Sequence, residues 1–129
     1  MLFLLDTTVL IDFLRGAPVA DQVDELIDRG DVACSTAINV EEVVRGLRAN
    51  EESDAERLIE GLVVIPLGAP EGWQAGSWRR RFASRGLTLS QSDCLIAAAA
   101  FSANARLATG NPADFPMEEI EVEDWPVGH

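Results

Sequence analysis

The sequence predicts an α/β fold with a short, mainly parallel central sheet, and two observations carry that prediction. Short, uniformly apolar runs (Leu2-Phe3-Leu4-Leu5, Val32-Ala33-Cys34, Leu62 to Ile65, Leu107-Ala108) have the character of strands buried on both faces. Between them lie longer segments of helical periodicity, and strands that alternate with helices pair in parallel through crossovers. With 129 residues, 47% of them apolar, the chain is expected to form one domain over 1–129, with a core that needs no disulfide or structural metal.

In chain order, Asp6-Thr7-Thr8 can cap a helix through Val9, Leu10, Phe13 and Leu14 that Gly16 and Pro18 close. A second helix sets Val19, Val23, Leu26 and Ile27 at helical spacing and stops at Gly30. After the strand at Val32, Ser35 opens a helix with Val40, Val43, Val44 and Leu47 in an i, i+3, i+4, i+7 stripe. Ser53-Asp54-Ala55-Glu56 has capping-box spacing ahead of a helix ending at Gly61, and the strand over Leu62 to Ile65 stops at Pro66. Pro70 to Arg85 is helical, carries Trp73, Trp78 and Arg79-Arg80-Arg81, and ends at Gly86; its Gly68, Gly72, Gly76 spacing reads as local packing. Ser90 starts the longest apolar helix, Leu95 to Ala103. Leu107-Ala108 is a strand, Asn111-Pro112 a turn, Ile120 to Val122 an edge strand, and the acids between Glu118 and Asp124 a solvated edge.

Composition removes whole classes of chemistry. All ten basic residues are Arg, so lysine-dependent phosphate loops, kinase sites and Schiff bases are excluded. The only histidine is His129, the last residue, which leaves no Ser-His-Asp or Cys-His mechanism and no His-rich zinc site. Cys34 and Cys94 stand far apart, and no CxxC, GxSxG or GxGxxG occurs. Unpaired cysteines and the lack of any leader or membrane-length apolar run indicate a cytoplasmic protein without membrane association. The net charge of −12 opposes broad attachment to nucleic acid, although a bound cation or an arginine cluster can invert the sign locally. Carboxylates, Arg, Ser, Thr and Asn remain, a set suited to hard-metal chemistry on phosphates.

Sites in open α/β sheets form beyond the carboxyl ends of strands. Asp6 follows the first strand, Glu42 lies on the helix after the second, Asp93 is in the first turn of the Ser90 helix, and Asn111 and Asp114 follow the strand at Leu107. On its helix Glu42 bears roughly opposite the valine stripe. Gathered at one rim, these carboxylates would raise one another's pKa unless a Mg²⁺ or Mn²⁺ ion offset the repulsion. Each also has a purely local role open to it. Asp6 and Asp93 fit helix caps, Glu42 a solvated face, Asn111 and Asp114 turn positions, and Arg79 to Arg81 a solvated helix surface.

Four segments together are more specific. Leu4-Leu5-Asp6-Thr7-Thr8-Val9-Leu10-Ile11-Asp12 and Ser35-Thr36-Ala37-Ile38-Asn39-Val40-Glu41-Glu42-Val43-Val44-Arg45-Gly46 resemble the opening motifs of PIN-domain proteins. Asp93-Cys94-Leu95-Ile96-Ala97-Ala98-Ala99 and Thr109-Gly110-Asn111-Pro112-Ala113-Asp114-Phe115 resemble the closing ones, and the four come in order across essentially the whole chain. The short length resembles the VapC toxins of bacterial VapBC toxin–antitoxin pairs. The resemblance implies a PIN-like three-layer α/β/α fold and a Mg²⁺- or Mn²⁺-dependent endoribonuclease using one or two ions. Asp6, Glu42 and Asp93 match the family's metal-site acids, with the Glu42-to-Gly46 spacing selecting Glu42 over Glu41. The fourth position falls on Asn111, where Asp is common, so Asp114 is the nearby acid to supply that charge.

The resemblance further implies hydrolysis by metal-activated water, leaving 5′-phosphate and 3′-hydroxyl ends. Thr8, Arg45, Arg79, Arg80 and Arg81 are candidate substrate-binding residues. The implied partners are an RNA substrate, a second copy in a homodimer, and a VapB-type antitoxin in a hetero-oligomer that alone touches DNA. A non-catalytic PIN-like module that binds RNA or antitoxin is the alternative, favoured by Asn111. An aspartyl-phosphate phosphatase is disfavoured, because Thr8 stands where its second Asp belongs and no Lys is present. Whether the Trp73/Trp78 helix serves a dimer, an antitoxin or the core is left open.

Overall fold

The computed structural model describes residues 1–16 and 18–126; His129 lies outside them. Five strands form one sheet: β1 (Leu2–Leu5), β2 (Val32–Ser35), β3 (Val63–Val64), β4 (Arg106–Thr109) and β5 (Val122–Asp124). Their order is β3-β2-β1-β4-β5 and every pairing is parallel, with Leu4 opposite Cys34 on one side and Leu107 on the other. The helices are α1 (Thr7–Leu14), α2 (Val19–Asp28), α3 (Ala37–Arg45), α4 (Glu52–Glu60), α5 (Ala69–Ala83) and α6 (Gln91–Ser102), with a 3₁₀ turn over Pro112–Asp114.

Side chains along a strand alternate between faces, and here both faces are covered. Leu4, Cys34 and Leu107 point into a core completed by Trp78, Phe82 and Ile96 of α5 and α6. Phe3, Leu5, Ala33 and Ala108 point the other way, onto Val9, Leu10, Val23 and Leu26 of α1 and α2. This is the expected three-layer α/β/α arrangement. No helix among the described residues is long and apolar enough to cross a membrane.

Several boundaries differ from the sequence-based expectation, each for a local reason. β2 continues through Ser35, whose carbonyl accepts from Ile65 N at 2.8 Å, so Thr36 takes over the cap of α3 by accepting from Asn39 N. The expected capping box at Ser53 does not form. α4 begins earlier, at Glu52, and the preceding Glu51 carboxylate binds Arg15 and the Arg48 N–H. The strand at Leu62 to Ile65 shrinks to Val63–Val64, and the edge strand moves from Ile120–Val122 to Val122–Asp124 because Ile120 turns into the core. Val44 is 52% exposed; Asn39 and Val43 are the fully buried positions of α3, so a polar residue occupies the core face that the valine stripe was expected to define.

Strand order places the switch point beside β1. The chain moves outward from β1 to β2 and β3, then returns to the opposite side of β1 as β4; open α/β sheets place their sites beyond the carboxyl ends at such a point.

Candidate active site

Asp6 is the first residue after β1, fixed there by its N–H donating to Ala108 O at 2.9 Å. Its backbone has the extended geometry of an N-cap, yet its carboxylate makes no capping hydrogen bond to α1. That side chain is instead buried, only 7% exposed: Oδ2 accepts from Thr109 Oγ1 at 2.7 Å and Oδ1 from Asn39 Nδ2 at 3.3 Å. Asn39 is itself oriented, because its Oδ1 accepts from Thr36 Oγ1 at 2.7 Å while its Nδ2 also donates to Thr7 Oγ1 at 3.0 Å. Thr7 Oγ1 then donates to Glu42 Oε1 at 2.6 Å. A polar chain from β4 through Asp6 and α3 thus positions two acids.

Asp93 stands in the first turn of α6, whose cap Ser90 accepts from the Asp93 N–H at 3.1 Å. Burial pushes the Asp93 carboxyl above its ordinary 3.8, Ser90 works against that shift, and Asp114, Asp6 and Glu42 add to it. Asp6 is raised chiefly by burial, partly offset by its hydrogen bond from Thr109, with Glu42 again adding. Asp6, Glu42, Asp93 and Asp114, drawn from four separate segments, therefore lie within electrostatic reach of one another. Among the described residues, no three acidic, Cys or His side chains are gathered tightly enough to hold an ion. Asn111 precedes the 3₁₀ turn and is exposed, with its N–H donating to Thr109 Oγ1 at 3.0 Å; Asp114 ends the turn, also exposed.

The candidate substrate-binding residues scatter. Thr8 Oγ1 accepts from Gly110 N at 3.1 Å, tying α1 to the loop after β4. Arg45 is exposed and reaches Glu41 on its own helix at 3.9 Å. Arg79 Nε donates to Leu89 O at 3.1 Å, close to the start of α6. Arg80 has no hydrogen-bond or ion-pair partner among the described residues. Arg81 is drawn to Glu119 by two hydrogen bonds of 2.8 and 2.9 Å, and it is the main cause of the Glu119 pKa falling to about 2. Sequence reasoning missed Thr7, Asn39 and Thr109, the residues that orient the acids; Asn39 three places after a Thr, on the face that α3 buries, was the available signal.

A PIN domain family model matches residues 3–116. The chain belongs to the PIN-domain family. Within it the chain is of the VapC type: it is 32% identical over 115 residues to Ribonuclease VapC19 of Mycobacterium tuberculosis, covering 88% of this chain and 92% of the relative. It is 33% identical over 119 residues to Ribonuclease VapC10 of the same organism, covering 92% and 89%. VapBC-1 from nontypeable Haemophilus influenzae superposes with a TM-score of 0.81 at 26% identity over 97% of this chain and 98% of that one. VapBC2 from Rickettsia felis, bound to a DNA fragment from its promoter, gives 0.84 at 22% over 97% and 99%, a likeness of fold. In this PIN domain Asn39 lies beneath both positioned acids, so Asn39→Ala leaves Asp6 Oδ1 without its Asn39 donor and the Thr36 O–H without its acceptor, although Thr36 Oγ1 still accepts from the residue-39 N–H. A loss of about 2–3 kcal/mol is expected by urea unfolding; a loss below about 0.5 kcal/mol would remove Asn39 from this role.

Proposed function

We propose that this chain is a Mg²⁺- or Mn²⁺-dependent endoribonuclease and the toxin of a type II toxin–antitoxin pair. The observation that supports this reading most directly is the set of carboxylates at the switch point. Asp6 and Asp93 are raised by burial, and the charged groups that add to the shift are other acids. Folding has no need of such repulsion; a divalent cation with hard oxygen ligands relieves it. The donor set fits Mg²⁺ or Mn²⁺, since every candidate atom is oxygen and an open arrangement suits an ion that keeps several waters. Asp6 and Asp93 would hold it, Glu42 would bind it or orient its water, and Asn111 with Asp114 would complete the outer shell. When bound, such an ion supplies Lewis-acid activation of water and neutralises charge at a phosphate.

The chain's own groups set up the rest. Thr109 and Asn39 hold Asp6, and Thr7 holds Glu42, so both carboxylates are oriented before the phosphate arrives. In-line attack of water oxygen on phosphorus forms one P–O bond and breaks the bond to the 3′ oxygen, which takes up a proton. The products carry 5′-phosphate and 3′-hydroxyl ends. The relatives VapC19 and VapC10 are named ribonucleases, and the two solved neighbours described above are VapBC pairs. We extend to this chain an antitoxin partner, homodimer formation, and contact with DNA only through that antitoxin. An acidic surface of −12 attracts a basic antitoxin segment.

The test is expression without antitoxin, with new RNA 5′-phosphate ends mapped transcriptome-wide beside Asp93→Asn. Discrete ends with the wild type and none with the variant are expected; 2′,3′-cyclic phosphate products would sink the hydrolytic mechanism. Asn111, where Asp is common in the family, favours a second reading, a non-catalytic binding module. Mn²⁺ discriminates: it is expected to raise the melting temperature of the wild type by about 10 °C, roughly what binding at a hundredfold excess over Kd gives, and not that of Asp93→Asn. No rise in either protein would favour the binding module.

A further inference from the structure

We propose that the outer face of α5 is a track for single-stranded RNA, in which the Trp73 indole stacks on a base and the Arg80 guanidinium holds the backbone; this rests on the ribonuclease reading above. Between Glu71 and Asp93 the chain has no acid and carries four of its ten basic residues, Arg79, Arg80, Arg81 and Arg85. Most other arginines are paired: Arg15 with Glu51, Arg29 with Asp31, Arg45 with Glu41, Arg57 with Asp54, and Arg106 with Glu121 and Glu123. Arg81 is held by Glu119 and Arg85 lies over the Phe82 ring. Arg80 is left without an acidic partner among the described residues, and Arg79 binds only a backbone carbonyl. In a chain of −12, this leaves Arg80 as a guanidinium with no carboxylate bonded to it.

Helical geometry puts the aromatic ring beside that charge. Glu71, Ala75, Trp78 and Phe82 form the buried side of α5. At about 100° per residue, Trp73 and Arg80 share a bearing on the opposite side, about 10 Å apart along the axis. Trp73 is 81% exposed, an unusual position for so large an apolar surface. Gly72 and Gly76 beside it leave open space where side chains would stand. On the other flank of the indole, a cleft of about 320 Å³ runs to Phe101, whose ring is braced edge-on against Trp78 at 6.0 Å. Every base has a π-face, and a fixed aromatic ring next to an unpaired guanidinium is the means by which single strands are held without sequence readout.

The track also leads to the acids. Phe101 and Asp93 lie on α6 about 12 Å apart, and Arg79 touches the segment just before that helix. A symmetric dimer centred on this face would bring two unpaired arginines together with no acid nearby to receive them, which disfavours a second copy as its occupant.

The test measures binding of a short fluorescein-labelled single-stranded oligoribonucleotide by anisotropy, in the Asp93→Asn background so that no cleavage intervenes. Trp73→Ala is expected to weaken binding about tenfold, Trp73→Phe less than threefold. Arg80→Gln is expected to weaken it several-fold and to flatten the log–log salt slope by about 0.7. Arg57→Gln, on the paired surface of α4, serves as the reference and is expected to bind like its parent. Trp73→Ala and Arg80→Gln binding as tightly as that reference would overturn the proposal. So would an unchanged affinity with an altered oligomeric state by light scattering, which would assign the face to a protein partner. Because the readout is binding, its failure leaves Asp93-dependent cleavage standing, and absence of cleavage leaves the binding result intact.

Discussion

Asp93→Asn is expected to lower RNA cleavage about a thousandfold or more and, in chelator, to raise the melting temperature of the same protein by a few degrees. The two effects have one origin. Asp93 is held above its ordinary pKa of 3.8 by burial and by Asp114, Asp6 and Glu42, so its ionised form opposes folding when no cation is bound. The pH dependence has a definite sign. Asp6 and Asp93 have folded-state values above their unfolded ones, so each contributes stability that is present below about 3.8 and lost as pH rises through its raised folded value. Glu119, Asp31 and Glu51 are lowered, so their contribution is lost only as pH falls below the ordinary carboxylate range. Metal-free protein should therefore be most stable on the acid side of neutrality, and Asp93→Asn should flatten that dependence. Thermal melts across pH, with and without Mn²⁺, check both; a variant that melts lower than wild type in chelator at neutral pH would show that Asp93 is a structural cap.

Legibility in the sequence divides along physical lines. Leu2–Leu5 could be recognised because a strand covered on both faces must be apolar throughout, and Asp6 directly after it breaks that run. Ser90 could be recognised as a cap because the rule is local: its hydroxyl and the Asp93 N–H are three residues apart. The start of α3 could not, since Ser35 and Thr36 cap equally well and the choice is made by β3, which extends β2 through Ser35. Val44 satisfied the helical stripe and still faces out, because Asn39 holds the buried position by bonding Asp6 and Thr7, contacts more than thirty residues distant. The same holds for the site. Four motifs named the acids, but Thr109 reaches Asp6 across nearly the whole chain, and no local pattern encodes that pairing. The fate of the three consecutive arginines was equally nonlocal, since Glu119 takes Arg81 and leaves Arg80 open to solvent.

Trp78→Ala is the substitution expected to damage the fold most. The ring is 1% exposed and among the largest fully buried side chains, seated between α5 and α6 over Leu4 and Leu107 of the sheet. Truncating a buried Trp costs about 3–5 kcal/mol, which for a domain of this size is roughly a 15 °C fall in melting temperature. More than apolar area is removed. Trp78 Nε1 donates to Glu119 Oε2 at 2.9 Å, so the same change strips one donor from a carboxylate that Arg81 also holds. Trp78→Phe separates the contributions: it keeps most of the packing against Phe101 and loses the N–H, for a smaller loss of about 1–2 kcal/mol. Trp73→Ala, about a turn and a half away on the exposed side, should shift stability by less than about 0.5 kcal/mol. Urea unfolding of the three variants tests the assignment of the two tryptophans to opposite sides of one helix. Equal losses at Trp73 and Trp78 would contradict it. Because α6 carries Asp93 at one end and packs on Trp78 near the other, Trp78→Ala should also reduce cleavage by the molecules that remain folded, an effect that added Mn²⁺ should partly reverse by favouring the native arrangement of the acids.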